Sequence, residues 1–122
     1  MQLSKAKLNK QTEKEMFDIF YQTFGDIKGK NEAKMFLNDF LSKMERIKLA
    51  KRLLTALCLE KGKSYDYIKQ TVKVSSATIA SVDKLMTKNS DGFILAFKNM
   101  EANQWASKTA GKINSFIKGI LK

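Results

Sequence analysis

The sequence contains no histidine and no proline, and its only cysteine is Cys58. Without histidine, the chain lacks the general base of a Ser-His-Asp or Cys-His nucleophile and a common ligand of zinc. We find no constellation of base, nucleophile and metal ligands, so we expect neither an enzyme nor a metal site. One cysteine cannot form a disulfide within one chain, which is typical of a reducing cytoplasm. We therefore expect a cytoplasmic protein.

Long apolar runs are also missing. No stretch approaches the roughly 18–20 apolar residues of a membrane span, and the start, MQLSKAKLNK, lacks the apolar region of a secretory signal. The chain has only 6 glycines in 122 residues, fewer turn residues than a sandwich or barrel needs. Hydrophobic residues make up 43% of the chain, which is enough for a core. The sequence therefore predicts one all-α domain.

Positive charge exceeds negative charge, with 23 Lys and Arg against 12 Asp and Glu and a net charge of +11. The excess lies in an N-terminal arm (1–10), a central block (41–73) and a C-terminal segment (98–122). Concentrated positive charge attracts polyanions such as nucleic acid or an anionic membrane surface. A lysine-rich composition that keeps the protein soluble is the simpler alternative, and charge alone does not indicate sequence-specific recognition.

Apolar residues at helical spacing predict three helices in the first half of the chain. The first covers 11–24, the second begins at an Asn31 cap after a break at 25–30, and the third runs over about 43–61. The first two helices carry more aromatic residues than a monomer of this size can cover. Gly62 is expected to stop the third helix. Cys58, inside its leucine-rich stretch, is expected to be a small buried hydrophobe rather than a reactive thiol.

Two short helices are predicted next, over 65–72 with Ser64 as cap and over 76–86 with Ser75 or Ser76 as cap. A tight turn at Lys73 and Val74 separates them, so residues 65–86 form a helix-turn-helix candidate. The apolar positions expected to hold the two helices together are Ile68, Val74, Ile79 and Val82. The exposed face of the second helix keeps small polar residues, which suit a helix that enters a DNA groove. An ordinary helical hairpin with serines facing water is the alternative.

Residues 87–92 are predicted as a turn, and an apolar stretch begins at Phe93. Lysines interleave with apolar residues over about 104–121, so 98–122 is predicted to be a basic amphipathic helix. Such a helix can lie on a membrane surface. Docking of its apolar stripe on the domain or on a second subunit is the favoured interpretation. The expected organisation is an arm at 1–10, a helical domain at 11–97 and this helix at 98–122.

Several motifs together carry a family resemblance. FLNDFL precedes Ser42, a SATI block occupies 76–79 and DGF occupies 91–93. With these motifs, residues 36–93 resemble a small branch of the Trp repressor-like family. The resemblance implies an all-α, multi-helix, intertwined homodimer that presents one helix-turn-helix per subunit. It also implies a repressor of transcription that binds a near-palindromic site in double-stranded DNA.

The second helix of the pair is the candidate for reading bases, with Thr78 and Ala80 at base edges or methyl groups. The complete set of DNA-binding candidates is Lys63, Lys69, Lys73, Ser75, Ser76, Ala77, Thr78, Ala80, Ser81 and Lys84. Lysines in this set are candidates for phosphate contacts. Two rivals remain open. One is a diverged helix-turn-helix that acts as a protein-interaction module or anti-repressor, and the other is a membrane-surface protein led by the 98–122 helix.

Three positions depart from the family pattern. Lys69 stands where the family has a small residue, Lys73 where the turn often has glycine, and Ser81 where the family has arginine. A non-glycine residue in a left-handed turn is strained by roughly 1 kcal/mol or more. In the tryptophan-sensing members two arginines flank the ligand, and here only Arg52 corresponds to one of them. We therefore keep Arg52 as a ligand-binding candidate but expect no tryptophan co-repressor and no other cofactor.

Overall fold

A computed structural model describes residues 6–106, and this part of the chain is all-helical, with six helices and no strand. The chain divides into two compact units between Lys43 and Met44. The helices are α1 (Lys10–Gly25), α2 (Gly29–Phe40), α3 (Lys43–Glu60), α4 (Tyr65–Val72), α5 (Ser76–Lys88) and α6 (Asp91–Ala106). The expectation of an all-α fold is confirmed for the described residues.

Helices α1 and α2 form the first unit. The Asn9 side chain caps α1 by accepting a hydrogen bond from the Thr12 N–H at 2.8 Å. The prediction that Asn31 caps the next helix is wrong, because α2 already begins at Gly29 and Asn31 lies inside it. The Lys28 N–H instead donates to Glu32 Oε1 at 2.9 Å. Gly29 has φ +76°, a conformation that glycine adopts without the strain of a Cβ. The helix cap is Lys28 rather than Asn31, so the helix begins three residues earlier than predicted.

Aromatic rings link α1 to α2 in this unit. The ring centroids of Phe24 and Phe36 are 5.6 Å apart, and those of Phe20 and Phe40 are 6.3 Å apart. Phe36 and Phe40 stack along α2 at 5.0 Å. Neither helix contains a fully buried residue. The aromatic side chains therefore pack on one another while leaving much of their surface exposed.

The second unit contains a buried core. Its members share near-complete burial and come from α3, α4, α5 and α6: Ala56, Leu57, Cys58, Ile68, Val72, Ile79, Val82 and Phe97. Cys58 is fully buried, as predicted, and burial raises the pKa of its thiol although the nearby Lys63 ammonium acts in the opposite direction. Thr55 is also fully buried, and within the described residues its hydroxyl has no hydrogen-bond partner. Such a group costs about 1–3 kcal/mol of stability.

The end of α3 and the start of α4 follow the sequence prediction. Gly62 has φ +75°, and two hydrogen bonds close the helix end: Gly62 N–H to the Leu59 carbonyl and Lys63 N–H to the Cys58 carbonyl, both at 3.0 Å. This is the Schellman arrangement, which places glycine in a left-handed conformation just beyond the helix. Ser64 caps α4 by accepting from the Tyr67 N–H at 3.2 Å.

The link after α5 is shorter than predicted. Residues 87–88 belong to α5 and residues 91–92 to α6, so only Asn89 and Ser90 separate the helices. The backbone supports this early start of α6, because the Ile94 N–H donates to the Ser90 carbonyl at 2.9 Å. Helix α6 crosses the proposed 97/98 boundary. Residues 107–122 lie outside the described part, so the amphipathic 98–122 helix stays a prediction, as does the arm at 1–10, of which 1–5 lie outside.

Candidate nucleic-acid interface

Helices α4 and α5 form the predicted helix-turn-helix. Ile68 on α4 and Ile79 on α5 are completely buried, and Val82 is 2% exposed. Val74, in the turn, is half-buried and packs against the same core. The structure adds Val72, which is 6% exposed and which the sequence analysis did not select. One face of α5 is therefore anchored in the core.

The opposite face of α5 is exposed. It carries the small and polar residues Ser76, Ala77, Thr78, Ala80 and Ser81, together with Lys84. Apart from Lys84, the side chains at these positions are short, so the helix backbone can approach a partner closely. All six of these candidates lie on one outward surface of a helix whose other side is buried.

Ser75 defines where α5 begins. Its Oγ accepts a hydrogen bond from the Thr78 N–H at 3.1 Å and lies 3.0 Å from Thr78 Oγ1. The choice between Ser75 and Ser76 as cap is thereby decided for Ser75. When the Thr78 hydroxyl donates in this pair, the Ser75 hydroxyl hydrogen is left to donate to another acceptor. The two side chains act as one hydrogen-bonded pair at the positive end of the helix dipole.

The turn between the helices depends on Lys73. It has φ 63° and ψ 56°, and it is the one non-glycine residue with positive φ among the described residues. Its N–H donates to the Lys69 carbonyl at 3.1 Å, which closes α4. Its own carbonyl accepts a hydrogen bond from Lys51 Nζ of α3 at 2.8 Å. Lys73, which stands where the family often has glycine, therefore has the left-handed conformation that was predicted for this turn.

A basic groove of about 450 Å³ lies between α3 and the start of α5. Four of its lining side chains are cationic and none is acidic. The lining residues are Met44, Ile47, Lys48, Lys51, Arg52, Lys73, Val74, Ser75 and Thr78. The groove brings together four of the predicted residues: Arg52, Lys73, Ser75 and Thr78. Sequence analysis missed Lys48 and Lys51, although their i, i+3 spacing places both on one side of a helix.

The other seven predicted residues do not line this groove: Lys63, Lys69, Ser76, Ala77, Ala80, Ser81 and Lys84. Lys63 is half-buried, and its Nζ lies 5.1 Å from the centroid of the Tyr67 ring in a cation–π contact. Lys69 is exposed on α4. Ser81 is exposed on α5, and its hydroxyl donates to the Ala77 carbonyl at 3.0 Å.

A hydrogen bond between side chains joins the start of α4 to α5. The Tyr65 hydroxyl donates to Asp83 Oδ2 at 3.2 Å. Desolvation, this hydrogen bond and the negative charge of Asp83 all raise the pKa of Tyr65. The described residues contain no cluster of His, Cys, Asp and Glu side chains suited to a metal ion.

Comparison with protein families matches residues 15–101 to the Trp repressor protein family. The chain belongs to the Trp repressor family. The match includes all of α2 to α5, and therefore both helices of the helix-turn-helix. Members of the Trp repressor family are helical, DNA-binding regulators rather than enzymes. Among curated proteins and among solved structures, no significant match was found. Within residues 6–106, no helix is long and apolar enough to cross a bilayer.

Proposed function

We propose that this member of the Trp repressor family is a sequence-specific DNA-binding repressor of transcription that inserts α5 into the major groove. The observation that carries the proposal is the two-sided character of α5. Ile79 and Val82 anchor one face in the core, while the other face presents short side chains to solvent. A recognition helix needs both properties, because it must be held firmly and must approach base edges closely.

The candidate contacts divide by chemistry. Thr78 and Ala80 face base edges and thymine methyl groups, and Ala77 allows close approach. The Ser75, Ser76 and Ser81 hydroxyls supply hydrogen bonds to bases or phosphates. Lys69, Lys73 and Lys84 are exposed and supply phosphate contacts. Lys63 contacts a phosphate only if its ammonium leaves the Tyr67 ring or bridges both partners.

The active species in this proposal is a homodimer. The exposed aromatic surface of α1 and α2 supports a dimer. The unit formed by these two helices has a groove of about 490 Å³, which is lined almost entirely by apolar side chains. A second copy of the same unit would cover that surface. Two-fold symmetry then places two α5 helices on half-sites roughly 34–36 Å apart, on a near-palindromic operator.

Selection of bound sequences from random double-stranded DNA tests the proposal directly. We expect an enriched, near-palindromic motif, and an affinity whose logarithm falls with log salt by about 0.9 per phosphate contact. Enrichment of no motif would contradict sequence-specific reading. It would favour the alternative that the helix-turn-helix has become a protein-interaction module or anti-repressor. The membrane-surface alternative concerns residues 98–122, and vesicle binding by the full chain compared with a chain ending at Asn103 tests it.

Two substitutions separate base contacts from phosphate contacts on the selected site. Thr78→Ala is expected to weaken binding mainly at one base position, by about 1–3 kcal/mol. Lys84→Ala removes a positive charge from the middle of α5 and is expected to weaken binding to all sequences alike. Mobility-shift titrations against single-base operator variants measure both. A uniform loss for both substitutions would show that α5 does not read bases.

We propose further that tryptophan is not the co-repressor. Ser81 offers a hydroxyl, already donated to the Ala77 carbonyl, where a clamp of two arginines needs a guanidinium plane. Arg52 lies in the basic groove with Lys51 and Lys73, which suits an anion more than an aromatic ring. Calorimetric titration with L-tryptophan, with and without the selected DNA, is expected to give no saturable heat.

A further inference from the structure

The left-handed conformation of Lys73 needs an explanation, because a lysine pays a steric cost there that a glycine avoids. Such residues persist where the surrounding structure fixes them in place. The N–H of Lys73 is held by the Lys69 carbonyl, a bond that any helix end of this type makes. Its carbonyl is held by a side chain from another helix, Lys51 of α3, at 2.8 Å.

We infer that Lys51 is a positioning residue, which ties the Lys73 carbonyl to α3 and thereby fixes the direction in which α5 leaves the turn. This inference rests on the proposed function for its consequence at DNA, but its structural part does not. An ammonium–carbonyl hydrogen bond is charge-assisted and hence stronger than a bond between neutral groups. Lys51 is half-buried beside the turn, and its Nζ lies 2.8 Å from the Lys73 carbonyl oxygen.

The position of the bond explains why it matters for α5. Ser75, the cap of α5, is only two residues after Lys73, and Val74 between them is half-buried against the core. A change in the backbone angles of Lys73 would therefore rotate the start of α5 and move Thr78. The Tyr65–Asp83 hydrogen bond joins the helices farther from the turn and does not hold this point. Lys51 holds it from the third helix.

The first experiment measures hydrogen exchange of the Lys73 amide by NMR in the full chain. Lys51→Met removes the donor to the Lys73 carbonyl while keeping an unbranched side chain. The Lys73 amide keeps its own bond to the Lys69 carbonyl, but its exchange is expected to accelerate by about three- to tenfold because the turn loses one of the hydrogen bonds that keep it closed. Lys51→Arg keeps a donor and is expected to restore most of the protection. Lys48→Met is the matched control, since it removes the same charge from the same groove without a bond to the turn. Equal acceleration in Lys51→Met and Lys48→Met, or none in either, would overturn the inference.

The second experiment measures selectivity, the ratio of affinities for the selected operator and for random DNA. Phosphate contacts affect both affinities alike, so selectivity reports on base reading rather than on charge. Lys51→Met is expected to lower selectivity by at least about threefold, the effect of one hydrogen bond. Lys48→Met removes the same charge from the same groove and is expected to lower both affinities alike, so that their ratio stays the same.

The double substitution Lys51→Met/Lys73→Gly distinguishes a positioning role of Lys51 from a role as a positive charge, because the two roles predict opposite changes in selectivity. Glycine adopts the left-handed turn without strain, so selectivity is expected to recover although a second positive charge is lost. A further fall in selectivity would overturn the positioning role. If the wild-type chain selects no DNA sequence, the proposed function fails, and the exchange series still decides whether Lys51 holds the turn.

Discussion

Single side chains tie α4 to α5 with chemistry that can be titrated. The phenol of Tyr65 donates to Asp83, and desolvation, the hydrogen bond and the Asp83 charge all favour its neutral form. A group whose pKa is raised by folding stabilises the protein while it is protonated in both states. This stabilisation is therefore complete below the usual tyrosine pKa of about 10 and is lost as the pH rises through the raised value.

We expect Tyr65→Phe to be less stable than the wild type at pH 8, and the difference to shrink as the pH rises above about 10. Thermal unfolding of both proteins across this range measures the difference, because every other side chain is the same in the two proteins. Asp83→Asn keeps an acceptor but removes the charge, so its stability is expected to fall less steeply with pH than that of the wild type. A constant difference between wild type and Tyr65→Phe would show that the bond does not form in solution.

Individual residues also show what sequence can and cannot reveal about the interface. The cap at Ser75 and the left-handed turn at Lys73 follow from local rules, since caps and turns depend on a few neighbouring residues. The Lys51 bond was not predicted, because it joins residues 22 positions apart and exists only when α3 packs beside the turn. The base and phosphate contacts assigned to α5 stay predictions until a complex is measured.

The helix-turn-helix owes its stability to the buried face of α5. Ile79 is completely buried in the core, whereas Ser81, two positions later, is exposed. We expect Ile79→Ala to lower the free energy of unfolding by about 2–5 kcal/mol, from lost burial and the cavity left behind. Ser81→Ala is expected to change it by less than about 0.5 kcal/mol.

Urea denaturation of both variants provides the measurement, with near-ultraviolet circular dichroism to detect loss of fixed packing. A cost for Ile79→Ala as small as that for Ser81→Ala would contradict the arrangement in which one face of α5 is the anchor. The comparison also serves the proposed function, because it separates the residues that hold the recognition helix from those that would meet DNA.

Elements with strong start and stop signals were predicted best. Helix α4 runs over the predicted residues, and α3 ends at Glu60, just before the left-handed Gly62 that was expected to stop it. The errors occurred where two polar residues compete for one role. Asn31 was chosen as a cap, but Glu32 reaches back to the Lys28 N–H and the helix begins at Gly29. In the same way, a turn over 87–92 was predicted from small polar residues that in fact end α5 and begin α6.

At the scale of the whole molecule, the aromatic unit of α1 and α2 is the surface that the proposed dimer would bury. Ile19 is 69% exposed, although it lines the apolar groove together with one methionine and five phenylalanine side chains. Its side chain takes no part in the ring contacts that join α1 to α2. A substitution at Ile19 therefore probes what covers the groove without removing the packing inside the unit.

We expect the wild-type chain to sediment as a dimer and Ile19→Lys to shift the equilibrium towards monomer. A two-fold interface contains each residue twice, so loss of one buried isoleucine per subunit costs roughly 3 kcal/mol or more, which is at least about a hundredfold in the dissociation constant. Gln11→Lys is the matched control: it adds the same charge to α1 at a position that does not line the groove and can pair with Glu15 in place of the present hydrogen bond. Sedimentation velocity over a range of concentrations distinguishes the three proteins. A monomeric wild type at all concentrations would remove the basis for two half-sites one helical turn apart, and an unchanged dimer in Ile19→Lys would place the interface elsewhere on the chain.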